Sequence, residues 1–492
     1  MTAARAELLS LLRDRAARLG DTPLISDGSG SVGAAQLVER VAAKARALRK
    51  AGVGPGVLVG TVGGPAAEFV SDVFAVISTG AVAVPLSRRL TPWEMRRLGE
   101  RCRLDFLWAP QDSPLAFPFT AADSGARRLS GAGKAGREGP RRHAFDEAAT
   151  AQITSGTTGH PRVALRSAAA LLAEAENYRT ALQLGPESRL LCPVPLQHAY
   201  GFGLCALAAP LAGAHVRCLT PDRPRLLLRE LADDAVTLFV GVPPMLRLLA
   251  KSARSRPRDG RAVGFLSAGM ALDPHTAELV ADRLGGQVGQ VYGTTETGPI
   301  CVSRPAPWDP GLAGPGPLLP GVEVGLSPVP ETGEGHGGST GLVTVTSPST
   351  MLGYAEGDGV DATALRDGFT TGDLARWEGR RLVLVGRLST SINVAGAKVS
   401  PEEIEAVLLA FPEVASCLVS GADDPVLGQR IVATVTPDTV DLEKLGRFCR
   451  ERLSPSWVPH AFAAVAQLPT TETGKVIRPR TDGPDRPASK DM

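Results

Sequence analysis

The stretch Thr154-Ser155-Gly156-Thr157-Thr158-Gly159-His160-Pro161-Arg162 alternates four hydroxyl residues with two glycines and closes on a proline and a cation. Glycine lets successive backbone N–H groups turn toward one point, and the hydroxyls add donors there, so the run suits a polyphosphate. It is not a Walker loop, because no Gly-Lys-Ser/Thr follows at the required spacing. A Thr/Gly-rich hairpin turn is the alternative for the run taken alone, and the remainder of the chain decides between the two.

Upstream, Leu37, Val38, Val41 and Leu48 fall at helical spacing within 34–50, with Gly52 able to cap the end. Val57–Val62 is a short β-rich run, Glu68 to Ser78 is helix-like and stopped by Gly80, and 81–85 returns to strand. Phe106, Leu107 and Trp108 form the next expected strand. Strand–helix–strand alternation predicts a parallel sheet covered by helices, and it resumes from Ala151 to about Val291. Between these blocks, 110–145 is rich in Pro, Ser and Gly and basic through Arg127, Arg128, Lys134, Arg137, Arg141 and Arg142, which predicts a surface connection. The Pro/Gly-dense segment 303–340 reads as turns feeding a smaller β-rich unit. A composition break falls near Gly386-Arg387, after which Pro401–Leu409 carries an acidic first turn and an apolar face, the signature of a helix. Residues 479–492 read as a disordered tail.

At 492 residues the chain exceeds what one hydrophobic core supports, so at least two domains are expected. Hydrophobic residues at 43% and charged residues at 21% are ordinary for a soluble protein, and a net charge of +2 gives no reason to expect nucleic acid or an anionic membrane as partner. The seven cysteines are scattered without a CxxC pair, which predicts reduced thiols and a cytoplasmic location. No signal-peptide pattern is present at the N-terminus. The longest uncharged run, Leu190 to Val216, contains three prolines and two histidines and is a poor membrane span.

Further short motifs follow the opening stretch in order: Pro195-Leu-Gln-His-Ala-Tyr-Gly201, Val242-Pro-Pro-Met245, Ser267-Ala-Gly-Met270, Tyr292-Gly-Thr-Thr-Glu296, Thr371-Gly-Asp373, Gly386-Arg387, Asn393-Val-Ala-Gly-Ala-Lys398 and Pro469-Thr-Thr-Glu-Thr-Gly-Lys475. Singly, each has a plain reading as a turn, a core residue or a solvated charge. Together and in this order they resemble the acyl-adenylate-forming superfamily of acyl- and aryl-CoA ligases, stand-alone adenylation enzymes and luciferases, over nearly the whole chain.

The resemblance implies a site for ATP and Mg2+. Thr154, Ser155, Gly156, Thr157, Thr158, Gly159 and Arg162 would cradle phosphates, with arginine replacing the family's usual lysine. Ala268, Gly269 and Met270 would form the adenine shelf. In the segment Tyr292, Gly293, Thr294, Thr295 and Glu296, the tyrosine would stack on adenine, Thr295 would meet the α-phosphate and Glu296 would hold the metal. Asp373 would accept from the ribose hydroxyls, and Arg387 would help hold the nucleotide. His198 would orient the acid's carboxylate, with Ala199, Tyr200, Phe202, Val242 and Gly269 around the acid; Tyr200 and Phe202 read equally as core. Amino-acid-activating relatives usually carry aspartate where Ala199 stands, so the resemblance implies an uncharged aryl or alkyl acid. Ser389 and Thr390 replace acidic residues common at the family's hinge, and Gly396 would leave space for a pantetheine arm. Lys475 would reach the carboxylate and α-phosphate oxygens as charge develops.

The expected fold is α/β: a large N-terminal domain over 1–386, with parallel-type sheets, covering helices and a β-rich subdomain, and a small mobile α+β domain over 387–478 bearing the catalytic lysine. The expected reaction is adenylation of the acid with pyrophosphate release, then transfer to a thiol of coenzyme A. A phosphopantetheine on a separate acyl carrier protein and a free amine are the alternative acceptors. A phosphotransferase and a degenerate ATP-binding protein without turnover are the alternatives of other classes.

Overall fold

The computed structural model describes residues 2–88, 90–91, 93–95, 104–108, 119–121, 126–129, 145–154, 162–220, 223–233, 235–253, 263–269, 272, 274–307, 309, 314–328, 341–356, 359–387, 392–395, 397–399 and 401–468. Two large sheets dominate. The first has eight strands in the order Gly298–Ala306, Gln287–Thr294, Gly264–Ala268, Leu238–Gly241, Arg189–Cys192, His215–Cys218, Pro23–Asp27 and Gly30–Gly33. Its interior strands run parallel, and only the two edge strands are antiparallel to their neighbours. The second has nine, with Ala148–Thr154, Val82–Leu86, Leu58–Val62 and Phe106–Trp108 parallel at its centre.

Helices Ala66–Ser78 and Ala168–Leu182 each touch strands of both sheets and fill the space between them. The sequence of the first explains its place: AAEFVSDVFAVIS is apolar almost all round, and eleven of its residues, Ala66–Phe69 apart from Glu68 and Val70–Ile77, are buried. Gly80, at φ +89, ends that helix in a conformation few other residues adopt. Helix Ala34–Lys50 and strands Leu58–Val62, Val82–Leu86 and Phe106–Trp108 lie where sequence pattern places them.

Two segments hold more strand than their composition predicts. Within 110–145, Phe119–Ala121 and Ala126–Leu129 are strands, the latter antiparallel to Phe106–Trp108. The open edge of Phe106–Trp108 offers backbone donors and acceptors that a Pro/Gly/Arg-rich composition does not reveal. Within 303–340, Gly298–Ala306 continues through Pro305, and Glu323–Pro328 is a further strand. Pro305 is tolerated because its strand is an edge, where a missing N–H costs no ladder bond. Glu323–Pro328 joins Gly341–Thr346, Phe369–Glu378 and Arg381–Arg387 in a four-stranded antiparallel sheet, the smaller β-rich unit.

Residues beyond 391 build a separate core around Ile392, Val399, Ile404, Val407, Ile431, Leu445 and Cys449. Helix Pro401–Leu408 faces it, as its apolar spacing predicts. Trp93, from the large N-terminal region, packs against this core. Beside it, Thr91 Oγ1 donates to the Arg452 carbonyl at 3.2 Å, and the Ser454 amide donates to the Glu94 carboxylate. Arg247 donates to the Pro425 carbonyl at 2.7 Å. Among the described residues, no helix is long and apolar enough to cross a membrane, and the described cysteines are free thiols. The expected tail, 479–492, lies outside the described residues.

Candidate functional site

Four of the motifs leave the carboxyl ends of four strands that are neighbours in the first sheet. Arg189–Cys192 leads into 195–201, Leu238–Gly241 into Val242, Gly264–Ala268 into Gly269, and Gln287–Thr294 into Thr295 and Glu296. Ligands of open parallel sheets bind at this end, because the loops there converge and helix N-termini point outward. Thr154 ends a central strand of the second sheet and pairs in register with Arg162 at the start of the next. Ser155, Gly156, Thr157, Thr158 and Gly159 lie outside the described residues, as do Met270, Ser389, Gly396 and Lys475.

On the expected nucleotide side, Tyr292 and Asp373 are both buried, and the Tyr292 hydroxyl donates to Asp373 Oδ2 at 2.9 Å. The same hydroxyl stands 3.3 Å from Thr371 Oγ1, which accepts from the Asp373 amide at 3.1 Å. Gly372 between them takes φ +78, so Thr371-Gly-Asp373 turns its two polar side chains together. Asp373 and Arg387 are register partners in the hairpin formed by Phe369–Glu378 and Arg381–Arg387. Residues 14 apart in sequence therefore stand side by side. Gly293 has no room for a side chain: a Cβ there would lie 2.4 Å from the Gly298 carbonyl oxygen. Thr294 Oγ1 accepts from the Thr297 amide at 3.2 Å, closing the turn that carries Thr295 and Glu296.

Glu296 is half-buried, and its Oε1 accepts from the Tyr354 hydroxyl at 2.9 Å. Burial first, and then the Glu296 charge, push the Tyr354 phenol well above its ordinary range, so it remains a donor. The Arg162 guanidinium lies 3.4 Å over the Tyr354 ring and 3.4 Å from Asp361 Oδ2. The cation that closes the Thr/Gly-rich run is thereby linked to the carboxylate of the Tyr292–Glu296 turn. Among the described residues no group of three or more His, Cys, Asp or Glu side chains could enclose a metal ion. A single oriented carboxylate fits Mg2+, which keeps several waters and takes its other ligands from substrate phosphates.

On the expected acid side, His198 is exposed at the start of the short helix Ala199–Gly201 and accepts through its carbonyl from the Phe202 amide at 2.7 Å. Gly201 is required there, since a Cβ would meet the Pro195 carbonyl oxygen at 2.4 Å. The chain continues as a π-helical run, Phe202–Ala208, a rare conformation that is frequent at functional sites. Phe202 is core, Tyr200 is half-buried with its hydroxyl on the Leu266 carbonyl at 3.0 Å, and Ala199 and Val242 are half-buried. Gly269, at φ +82, follows buried Ala268 at the mouth of its strand.

Sequence reading missed Tyr354, Asp361, Arg166 and Glu174. None of the four sits in a motif quoted above; the one available signal was Arg166, a cation within the otherwise apolar stretch of strand Arg162–Ser167. Such a residue must find a partner when buried.

The chain matches the AMP-binding enzyme family over residues 12–355 and the AMP-binding enzyme C-terminal domain over 403–475. A feruloyl-CoA synthase from an Amycolatopsis species is 31% identical over 474 residues, 92% of this chain and 94% of its own. The amide bond synthetase McbA from Marinactinospora thermotolerans matches in structure with a TM-score of 0.75 at 26% identity, covering 95% of this chain and 97% of its own. A malonyl-CoA ligase solved with methylmalonyl-CoA and AMP matches with a TM-score of 0.74 at 30% identity, covering 91% of this chain and 97% of its own.

Proposed function

Because the chain belongs to the AMP-binding enzyme family and is an AMP-forming acid ligase, we propose that it adenylates an uncharged aryl or alkyl carboxylic acid and passes the acyl group to coenzyme A. The observation that carries this reading is the convergence of four motifs at the carboxyl ends of four adjacent strands, with Asp373 and Tyr292 paired beside them. In this reading the acid's carboxylate attacks the α-phosphorus of ATP and pyrophosphate leaves. His198, Ala199, Tyr200, Val242 and Gly269 hold the acid, and Asp373 with Arg387 holds the nucleotide. Thr295 donates toward the α-phosphate, and Lys475 meets the charge that develops there. A Mg2+ held by Glu296 would neutralise phosphate charge. The chain contributes alignment and charge stabilisation, because the bond-making groups belong to the substrates.

The separate core beyond 391 supports a domain boundary near 386–387. Free buried thiols and a need for ATP and coenzyme A fit the cytoplasm. Ala199, which offers no carboxylate to an α-ammonium, supports the uncharged acid. The likeness to an amide bond synthetase supports an amine as second candidate acceptor; a separate acyl carrier protein is the third. Acid-dependent pyrophosphate release, assayed across aryl, alkyl and amino acids and then with each acceptor, tests the proposal. We expect release with aryl or alkyl acids, and AMP-coupled thioester formation on adding coenzyme A. Release with α-amino acids alone would overturn the acid class, and ATP binding without release from any acid would favour a non-catalytic binder.

A further inference from the structure

A buried ion pair lies behind both halves of the site. Arg166 on strand Arg162–Ser167 and Glu174 on helix Ala168–Leu182 pair at 2.5 Å, Nη1 to Oε2, with side chains 1% and 2% exposed. Burial raises the Glu174 pKa and the Arg166 charge opposes that rise. Removing both charges from water costs several kcal/mol, and a well-packed apolar pair is often as stable or more so. Stability therefore gives no reason for this pair, and its neighbours supply one.

Toward the nucleotide side, Arg166 Nη2 donates to the Ser349 carbonyl at 2.7 Å, and Ser349 Oγ donates to the Thr297 carbonyl at 2.9 Å. The Met351 amide donates to the Glu296 carbonyl at 2.7 Å, so the 347–351 loop grips Glu296 and the next residue, Thr297. The guanidinium also stands 3.1 Å from where a Cβ on Gly298 would be. Toward the acid side, Glu174 Oε1 occupies the space of a side chain at Gly203: a Cβ there would lie 1.9 Å from that oxygen. Gly203 belongs to the π-helical run that continues directly from Pro195–Gly201. One ion pair thus braces the segment carrying His198 and the turn carrying Thr295 and Glu296.

We propose that Arg166 and Glu174 are positioning residues that fix the acid-binding segment relative to the nucleotide turn, and so set the alignment of carboxylate and α-phosphorus without touching either substrate. This rests on the adenylation reading above. Wild-type pyrophosphate release, measured first, tests that reading by itself. The pair is then tested with Gly203→Ala, Glu174→Asp, their combination, and Arg166→Lys, each assayed where circular dichroism shows it folded.

Gly203→Ala presses a methyl group onto the carboxylate and is expected to raise the acid KM about tenfold while leaving the ATP KM within about twofold. Glu174→Asp, which withdraws the carboxylate by one methylene, should recover at least about threefold of the lost kcat/KM in the double variant, a non-additive result. Arg166→Lys keeps the charge but not the fork that reaches two partners, and should lower kcat about tenfold. A purely structural pair would lower Tm and leave these constants unchanged. Folded variants with wild-type constants, or Gly203→Ala and Glu174→Asp effects that simply multiply, would overturn the proposal. If Gly203→Ala does not accumulate, the kcat of Arg166→Lys decides.

Discussion

Replacing Lys475 with alanine is expected to reduce pyrophosphate release by about 100- to 1,000-fold, the loss typical of one preorganised donor at a developing charge. ATP binding, measured by calorimetry, should persist, since the role assigned to Lys475 belongs to the transition state. Tyr354→Phe tests a different link. Its hydroxyl holds one oxygen of Glu296, and partners of this kind typically alter metal affinity 10- to 100-fold, so the Mg2+ concentration for half-maximal activity should rise about tenfold. An unchanged Mg2+ titration would detach Tyr354 from the metal role. At this scale Tyr292, Glu296 and Asp373 could be read from sequence because each sits in a motif. Tyr354 could not, because its value comes from a contact with a residue 58 positions away.

Among elements, helix Ala66–Ser78 carries a polar residue into the space between the sheets. Asp72 is buried, accepting from Lys44 Nζ at 2.6 Å and from Trp108 Nε1 at 2.8 Å. Desolvation raises its pKa from 3.8 to about 6, against the pull of Lys44 and Trp108. The folded state therefore binds this proton more tightly than the unfolded chain, and its contribution to stability falls as pH rises from about 4 to about 6. Asp72→Asn removes that dependence. The difference in Tm, variant minus wild type, should grow more positive between pH 4 and pH 7 in calorimetric scans; a flat difference would show that Asp72 titrates normally. Hydrophobic pattern located this helix. That both sheets cover it was visible only as an apolar run with no solvated face.

For the whole molecule, the contact of Trp93, Thr91 and Glu94 with the C-terminal core joins residues about 360 apart in sequence. Trp93→Ala deletes its apolar part and should loosen that docking. We expect limited proteolysis to separate the two parts severalfold faster, with the ratio of pyrophosphate release to thioester formation altered. Equal cleavage rates and an unchanged ratio would mean that this contact does not govern how the parts associate. No sequence signal announced it.

Local physics is written along the chain. Sequence pattern predicts helices over 34–50, 68–78 and 401–409, within two residues of the observed 34–50, 66–78 and 401–408, and glycine with hydroxyl chemistry marks the Thr154–Arg162 run and the Tyr292–Glu296 turn, because backbone freedom and donor identity are properties of consecutive residues. What only the tertiary structure decided is which distant residues meet. The pairing of Asp373 with Tyr292, the brace of Arg166 and Glu174, the strands at 119–121 and 126–129, and the seat of Trp93 all depend on strand order and on which open edge or desolvated charge needs a partner. Those demands belong to the assembled sheets, and no window of sequence contains them.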